Sequence, residues 1–272
     1  MKIKSFFKGF ILINMVILGT TIGSKNQACA EIVVIPVSLT LKASMPSSPP
    51  EKLIFIGTGL ANAVMYKILP AQGPNGVLQP DKFKIKTPYT IDFQPLDQFQ
   101  TILSKNTEGQ SETWISVDVD WKNTPGVYST RLISNSGERE VPVQVNVLPK
   151  TIVSLNPPKF DLMPSNMEAP LVTKIQVFLA SNSVQWHLYC ISNSLTRKGG
   201  KEQIKESRVY VRSLSSNDSL PWHRLDKPFR VASGGPGPNR KIATIELAFE
   251  SQRQDLPGRY EGNFRFMISN TQ

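Results

Sequence analysis

The chain has 272 residues, of which 40% are hydrophobic and 19% charged, with 21 prolines and a formal net charge of +10. This composition excludes a disordered chain, and the length suffices for one large or two ordinary domains. Prolines scattered among many valines, isoleucines and threonines favour short strands and turns over long helices.

The first 30 residues have the pattern of a secretory signal peptide. Three lysines accompany an apolar run over residues 10–18, and Ala28-Cys29-Ala30 forms a small-residue cleavage site, which predicts Glu31 as the first mature residue. The run is shorter than the about 20 apolar residues that span a membrane. We therefore expect an exported protein with no membrane span after cleavage. The alternatives are a buried N-terminal helix and a lipoprotein with its lipid on Cys29.

The charge of the mature chain limits the classes of partner that it can bind, and its cysteine content limits the disulfides that it can form. Loss of the leader's four lysines leaves 27 basic against 21 acidic residues, a net charge of +6. This mild basic bias, without a dense block of lysine and arginine, argues against a nucleic-acid partner. Cys190 is the one cysteine left after cleavage. An internal disulfide is therefore not expected, and stability must come from the core.

Apolar and polar residues alternate along several segments after residue 30, which is typical of strands with one face on a core and one in water. Residues 60–69 fit either a helix or a strand, so their type stays open. The predicted inward faces are Ile35, Val37, Leu39 and Leu41; Ile115, Val117, Val119 and Trp121; Val141, Val143, Val145 and Val147; Ile175, Val177 and Leu179; Val184, Trp186, Leu188 and Cys190; and Ile245, Leu247 and Phe249.

The two halves of the mature chain share a local phrase. Thr124-Pro125-Gly126-Val127-Tyr128 leads to Ile133-Ser134-Asn135, and Leu256-Pro257-Gly258-Arg259-Tyr260 leads to Ile268-Ser269-Asn270, with the tyrosines 132 residues apart. The valine-rich strand ends near Pro149-Lys150, which predicts a boundary there. The sequence thus predicts an all-β protein with two tandem antiparallel β-sandwich domains, residues 31–149 and 150–272.

In each phrase, proline and glycine make a tight corner and the tyrosine enters the next strand, where its hydroxyl can bond back to the corner. This resembles the tyrosine corner of immunoglobulin-like (Ig-like) sandwiches, and it is similar to a phrase in bacterial Ig-like proteins of the fimbrial and surface-adhesion type. The resemblance implies an Ig-like fold, a place in the periplasm, cell surface or fimbrium, and other protein subunits as partners. A type II turn before any strand is the plainer interpretation.

Residues with catalytic chemistry are sparse. The two histidines, His187 and His223, lack metal-ligand spacing, and Cys190 lies on an apolar face, where a thiol is a core residue and not a nucleophile. Asp118 and Asp120 share a predicted strand face, which we interpret as solvated, although such a pair can hold a cation or act in hydrolysis. We expect no enzyme, cofactor or metal site.

Residues 219–241 contain the best candidate for a partner-binding or glycan-binding loop. Aromatic rings beside cations can stack on sugars or take acidic groups, although a long hairpin packed on the core is the plainer interpretation. The candidate residues are Trp222, His223, Arg224, Phe229 and Arg230.

These patterns favour a non-catalytic structural or adhesion subunit, with a periplasmic chaperone-like module and a carbohydrate-binding module as alternatives. If the halves correspond, the second lacks a counterpart of the strand over residues 140–148. A missing edge strand leaves a groove with unpaired backbone groups and exposed apolar side chains, and another subunit can supply the strand by donation. The other candidates for this role are residues 32–41, or a pairing of the last strand with residues 152–155.

Overall fold

The computed structural model describes residues 31–105, 109–165, 168–214, 221–256 and 258–271. The predicted signal peptide, its cleavage site and Pro257 lie outside the described residues. Within these ranges the regular structure consists of strands and two short 3₁₀ turns, Pro80–Lys82 and Glu206–Arg208. Over the same ranges, no helix has the length and apolar character needed to cross a membrane.

Two sheets face each other in the first half. One has the order β1-β3-β10-β7-β8, and the other has the order β2-β12-β11-β4-β9, with the short β5–β6 hairpin joined to β11. The strands are β1 (Glu31–Ile35), β2 (Leu39–Ala43), β3 (Glu51–Thr58), β4 (Val64–Ile68), β5 (Ala71–Gly73), β6 (Gly76–Leu78), β7 (Phe83–Lys86), β8 (Gln94–Pro95), β9 (Gln100–Leu103), β10 (Gly109–Val117), β11 (Gly126–Ser134) and β12 (Glu140–Val147).

The second half also forms a sandwich. One sheet has the order β13-β15-β22-β19-β20, the facing sheet has the order β21-β16-β24, and β18, β17 and β23 form a small third sheet. The strands are β13 (Thr151–Asn156), β14 (Pro164–Ser165), β15 (Thr173–Ser181), β16 (Gln185–Ser192), β17 (Leu195–Arg197), β18 (Gln203–Ile204), β19 (Val209–Leu214), β20 (His223–Arg224), β21 (Phe229–Gly234), β22 (Gly237–Glu250), β23 (Tyr260–Glu261) and β24 (Phe264–Thr271).

The predicted all-β class and the two Ig-like sandwiches are confirmed, and each half has its own core. Buried apolar residues form one cluster within residues 39–147 and another within residues 175–249. The description of the sandwiches as antiparallel needs one correction, because β2 pairs with β12 and β14 with β22 in parallel. The boundary at residue 149 stays a prediction.

Most of the alternating segments bury the predicted face, but those over residues 35–41 and 184–190 each include exposed residues. Leu39 and Leu41 are buried while Ile35 and Val37 are exposed. The reason is that β1 ends before Pro36, where the chain passes from the sheet of β1 to the sheet of β2. The alternation over residues 115–121 also outlasts its strand, since β10 ends at Val117.

Residues 60–69, whose type was open, contain strand β4. The side chain of Val184 is exposed, unlike the buried Trp186, Leu188 and Cys190 that follow it. Val184 precedes the first residue of β16, so the alternation there begins one step too early.

The second sandwich repeats a series of strands of the first. In each, a short hairpin and a 3₁₀ turn precede the strand that pairs with the long central strand, β7 with β10 and β19 with β22. The buried Leu96 and Leu225 occupy equivalent places, because their backbone N–H groups donate to Phe83 O and Val209 O, each at 2.9 Å. Internal duplication thus extends well beyond the shared corner phrase.

The register of this duplication aligns residues 126–134 with residues 258–266. Ile68 and Ser192 donate to the equivalent carbonyls of Leu96 and Leu225, and their partners across the sheet are Leu132 and Phe264. Ile133 therefore corresponds to Arg265 and not to Ile268. The shared Ile-Ser-Asn letters are a coincidence of sequence, since Ile268 packs against the core cluster while Ile133 lies between the buried Leu132 and Ser134 and points the other way.

Both tyrosines make the hydrogen bond of a tyrosine corner. The Tyr128 hydroxyl donates to Thr124 O at 2.9 Å, and the Tyr260 hydroxyl donates to Leu256 O at 3.1 Å. Gly126 and Gly258 have φ values of +145° and +151°, which side chains with a Cβ rarely adopt. Their surroundings differ, because Tyr128 is buried while Tyr260 is only half-buried.

A buried amide lies at the junction of the two sandwiches. Asn182 is fully buried, and its Nδ2 donates to Asn123 O at 3.2 Å and to Leu148 O at 3.0 Å. Its Oδ1 accepts from Lys150 N at 2.7 Å. Lys150 Nζ in turn donates to Met45 O at 2.9 Å, so the linker is tied to both halves.

The two corners make a matched pair for mutation. We expect Tyr128→Phe to lower the free energy of unfolding by roughly 1–2 kcal/mol, because it leaves the buried Thr124 carbonyl without its donor. Tyr260→Phe should cost less, since water can replace the lost bond. Equilibrium urea unfolding followed by tryptophan fluorescence checks both, and equal losses in the two variants would contradict the difference in burial.

Candidate partner-binding edge of the second sandwich

The last strand of the second sandwich lacks a neighbour on one side. In the first sandwich β11 lies between β12 and β4, whereas β24, along its eight residues, pairs only with β16 among the described strands. Neither β12 nor β2 has a counterpart in the part of the second half that the structure describes. Among the described strands, none pairs with the backbone N–H and C=O groups along one edge of β24.

The core beneath this edge is incompletely covered. The four inward valines of β12, residues 141, 143, 145 and 147, are at most 2% exposed. In the second sandwich, the inward Phe264, Phe266 and Ile268 of β24 are only half-buried. Val153 and Leu155 of β13 are half-buried as well. An apolar row thus faces solvent where the first sandwich has a strand.

A cavity of about 960 Å³ opens at the same place. One wall consists of residues 258–264, the counterparts of residues 126–132, which β12 pairs with in the first sandwich. The opposite wall comes from residues 155 and 158–162. The cavity therefore lies along the stretch that β12 covers in the first half. Its apolar lining includes Leu155, Phe160, Leu162, Leu195, Tyr260 and Phe264.

A non-strand segment covers part of this groove. The rings of Phe160 and Phe264 lie 5.2 Å apart at a tilt of 50°, a favourable aromatic arrangement.

At the rim of the cavity, Arg208 donates two hydrogen bonds to Asp255, at 2.9 and 2.8 Å. These bonds hold the pKa of the Asp255 carboxyl below its usual value, so the rim carries a fixed ion pair.

Two of the predicted ways of completing the second sandwich are wrong. The segment over residues 32–41 belongs to the first sandwich, where β1 pairs with β3 and β2 with β12. The segment over residues 152–155 lies in β13 and pairs with β15, not with β24. The open edge is therefore not closed by either segment.

Residues 219 and 220 of the candidate loop lie outside the described residues, and residues 221–241 do not form one surface. Residues 223–224 pair with β19, while residues 229–234 pair with β16 in the facing sheet. His223 and Phe229 come together, with their rings 5.1 Å apart, and the Arg230 side chain is exposed.

Trp222 and Arg224, the other two candidate residues of that loop, each form a cation–π contact within the protein. The Arg212 guanidinium lies 4.5 Å from the centre of the Trp222 ring, and the Arg224 guanidinium lies 5.9 Å from that of Tyr210. Arg212 is held by the buried Glu246 at 2.6 Å. One face of the indole is thereby occupied by a cation, and glycan binding at this loop stays a prediction.

The residues weighed for catalysis have structural partners. Lys84 Nζ lies 2.6 Å from Asp118 Oδ2, and Lys82 Nζ lies 3.4 Å from Asp120 Oδ2. Burial raises the pKa of the Cys190 thiol to about 12, which keeps it protonated near neutral pH. Over the described residues, no cluster of three or more His, Cys, Asp or Glu side chains could hold a metal ion.

The sequence predicted the missing strand and the groove that it leaves, but not the segment that forms the opposite wall of that groove. Phe160 and Leu162 follow two prolines in a segment with no regular structure, so no strand periodicity marked them. The only sequence signal for them was that two large apolar residues lie two positions apart, as on one face of an extended segment.

Comparisons with known proteins add fold likeness only. No family model matches the chain, and no curated protein does so. A chain of the chaperone–tip adhesion subunit complex of archaic chaperone-usher Csu pili from Acinetobacter baumannii is 13% identical, with 88% of this chain and 99% of that chain covered and a TM-score of 0.42. A chain from a chaperone–tip adhesin complex of CFA/I fimbriae is 10% identical, with 86% and 95% covered and a TM-score of 0.28.

Tandem Ig domains of titin show a similar degree of likeness. They are 10% identical, with 89% of this chain and 96% of that chain covered and a TM-score of 0.25. All three scores lie below 0.5, and we base the functional proposal on the contacts of this chain alone.

The open edge predicts a difference in amide exchange between the two last strands. In the free protein we expect the amides of β24 to exchange faster than those of β11, because β11 is paired on both sides and β24 on one. Hydrogen–deuterium exchange with mass spectrometry on residues 31–272 measures both in one sample. Equal protection of the two strands would show that β24 is covered.

Proposed function

We propose that this chain is a non-catalytic structural subunit of an exported surface assembly of the fimbrial type. Its second sandwich joins it to another protein subunit by accepting an extended strand along β24. The observation that carries the proposal is the free edge of β24 above a half-buried row of large apolar side chains. Addition of a strand to an open sheet edge uses main-chain hydrogen bonds for affinity and side-chain pockets for specificity.

The free energy gained at this edge is comparable in size to the cost of association. Full burial of a large apolar side chain contributes roughly 1.5–3 kcal/mol, so covering the three half-buried side chains of β24 contributes about 1 kcal/mol each. Each new backbone hydrogen bond adds roughly 0.5–1.5 kcal/mol. A strand of seven or eight residues thus offsets a good part of the cost of association.

Amide exchange in the native assembly tests the proposal. We expect the chain, isolated from the surface of its own cells without denaturation, to be part of a larger complex in which β24 exchanges more slowly than in the free monomer. The amides of β11 serve as the internal control and should not change.

Two results would contradict this proposal. One is a native complex in which β24 exchanges as fast as in the monomer, since the contact would then lie elsewhere. The other is a chain that stays a soluble monomer in every fraction, as a chaperone-like module would after releasing its client.

The non-catalytic part of the proposal has its own test. Asp118→Ala, Asp120→Ala and His223→Ala should each leave the incorporation of the chain into the assembly unchanged, because these side chains lie away from β24. Incorporation is measured by quantitative immunoblotting of surface fractions. A hydrolytic activity of the wild-type protein that any one of these changes abolishes would refute it.

A further inference from the structure

The first sandwich contains a template for the missing strand. β12 runs antiparallel to β11, with Gly126 opposite Val147 and Ile133 opposite Glu140. Residues 258–265 correspond to residues 126–133, so a strand in the same place would run antiparallel to β23 and β24. Its inward residues would lie where the cavity opens, opposite Gly258, Tyr260, Gly262 and Phe264.

The template also specifies a side-chain pattern. β12 buries a valine at every second position, and β-branched apolar residues suit a pleated strand that is buried on one face. The walls of the cavity combine apolar and aromatic side chains, among them Leu155, Phe160 and Phe264, with polar ones. A polar side chain that an inward position places against the apolar part of the wall would lose its hydration without gaining a partner there.

A charge on β24 adds a further requirement. Arg265 occupies the place of Ile133, whose partner across the sheet is Glu140. In the first sandwich Glu140 binds Arg131 at 2.9 Å, whereas Arg265 makes no ion pair within the described part of the chain. A strand of the β12 type would bring a carboxylate directly opposite this free guanidinium, which stabilises the pair.

The course of β24 favours a strand from a separate chain. β11 ends at Ser134, and a short turn leads into β12. β24 instead stays extended through Thr271, five residues past Phe266, the counterpart of Ser134, and remains paired with β16 throughout. The hairpin that supplies β12 is therefore not formed at the equivalent position.

We infer that the partner strand is a segment of another protein subunit that resembles β12 in chemistry. It runs antiparallel to β24, has β-branched apolar residues at alternate positions and carries an acidic residue opposite Arg265. This inference rests on the proposed function and specifies the orientation, the register and one charged position of the partner strand.

Peptide binding to residues 31–272 tests the orientation and the apolar pattern. The probe is a peptide with the sequence of residues 140–147, and fluorescence anisotropy measures its affinity. We expect it to slow exchange in residues 258–266, and a peptide with the second and third valines replaced by asparagine to bind on the order of tenfold more weakly or worse. A spin label at the peptide's C-terminus should broaden the NMR signals of Tyr260, and one at its N-terminus those of Phe266.

A charge exchange tests the acidic position. Arg265→Glu should weaken binding of the glutamate peptide roughly two- to fivefold and strengthen binding of the same peptide with lysine in place of that glutamate by a similar factor. The control variant is Lys227→Glu, which makes the same change of charge in an exposed turn and should alter neither affinity.

The outcomes separate the two proposals. If β24 is protected in the native assembly but the peptides bind in parallel, bind regardless of charge or do not bind, the β12-like partner is refuted while strand acceptance stands. If β24 is unprotected in the native assembly as well, strand acceptance itself is refuted.

Discussion

A β-strand must place each backbone N–H and C=O group against another strand or against water, and this requirement determines how the molecule is built. In the first sandwich β12 satisfies one edge of β11 and also covers the core with four valines. Those two roles are inseparable, because the strand that pairs the backbone also brings the side chains. Beside β24 no strand of the described part of the chain takes that place, and the backbone edge and the core are both left open there. The cavity between β24 and residues 155–162 is the volume that results.

Local pattern predicted the strands well and their partners poorly. The sequence predicted the alternating valines of β12 and the inward face of β16, because a half-buried strand has a period of two. It did not predict the crossing at Pro36, because the alternation continues unchanged when a chain leaves one sheet and enters the facing one. The Ile-Ser-Asn match failed for a related reason, since equivalence is set by pairing with β4 and β16 and not by letters. The opposite wall of the groove was not predicted, because the position of Phe160 depends on tertiary packing.

The two tyrosine corners show how one local device serves two surroundings. Gly126 and Gly258 adopt nearly the same backbone angle, and each tyrosine bonds to the carbonyl four residues earlier. In the first half Gly73 of the β5–β6 hairpin contacts the Tyr128 ring so closely that any Cβ there would collide with it. The half-buried Tyr260 instead lines the cavity. The corner is thus a local property of the chain, whereas its burial is supplied by neighbours.

The buried amide of Asn182 makes the junction between the sandwiches sensitive to the replacement of a single atom. Both hydrogens of its Nδ2 are committed to carbonyl oxygens, one from Asn123 and one from Leu148. Deamidation would turn this nitrogen into an oxygen, and a carboxylate has no hydrogen to donate when ionised. Three oxygens would then face one another in a site without exposure to solvent, a costly arrangement. A single hydrolysed side chain would therefore loosen the link between the two halves while leaving each core intact.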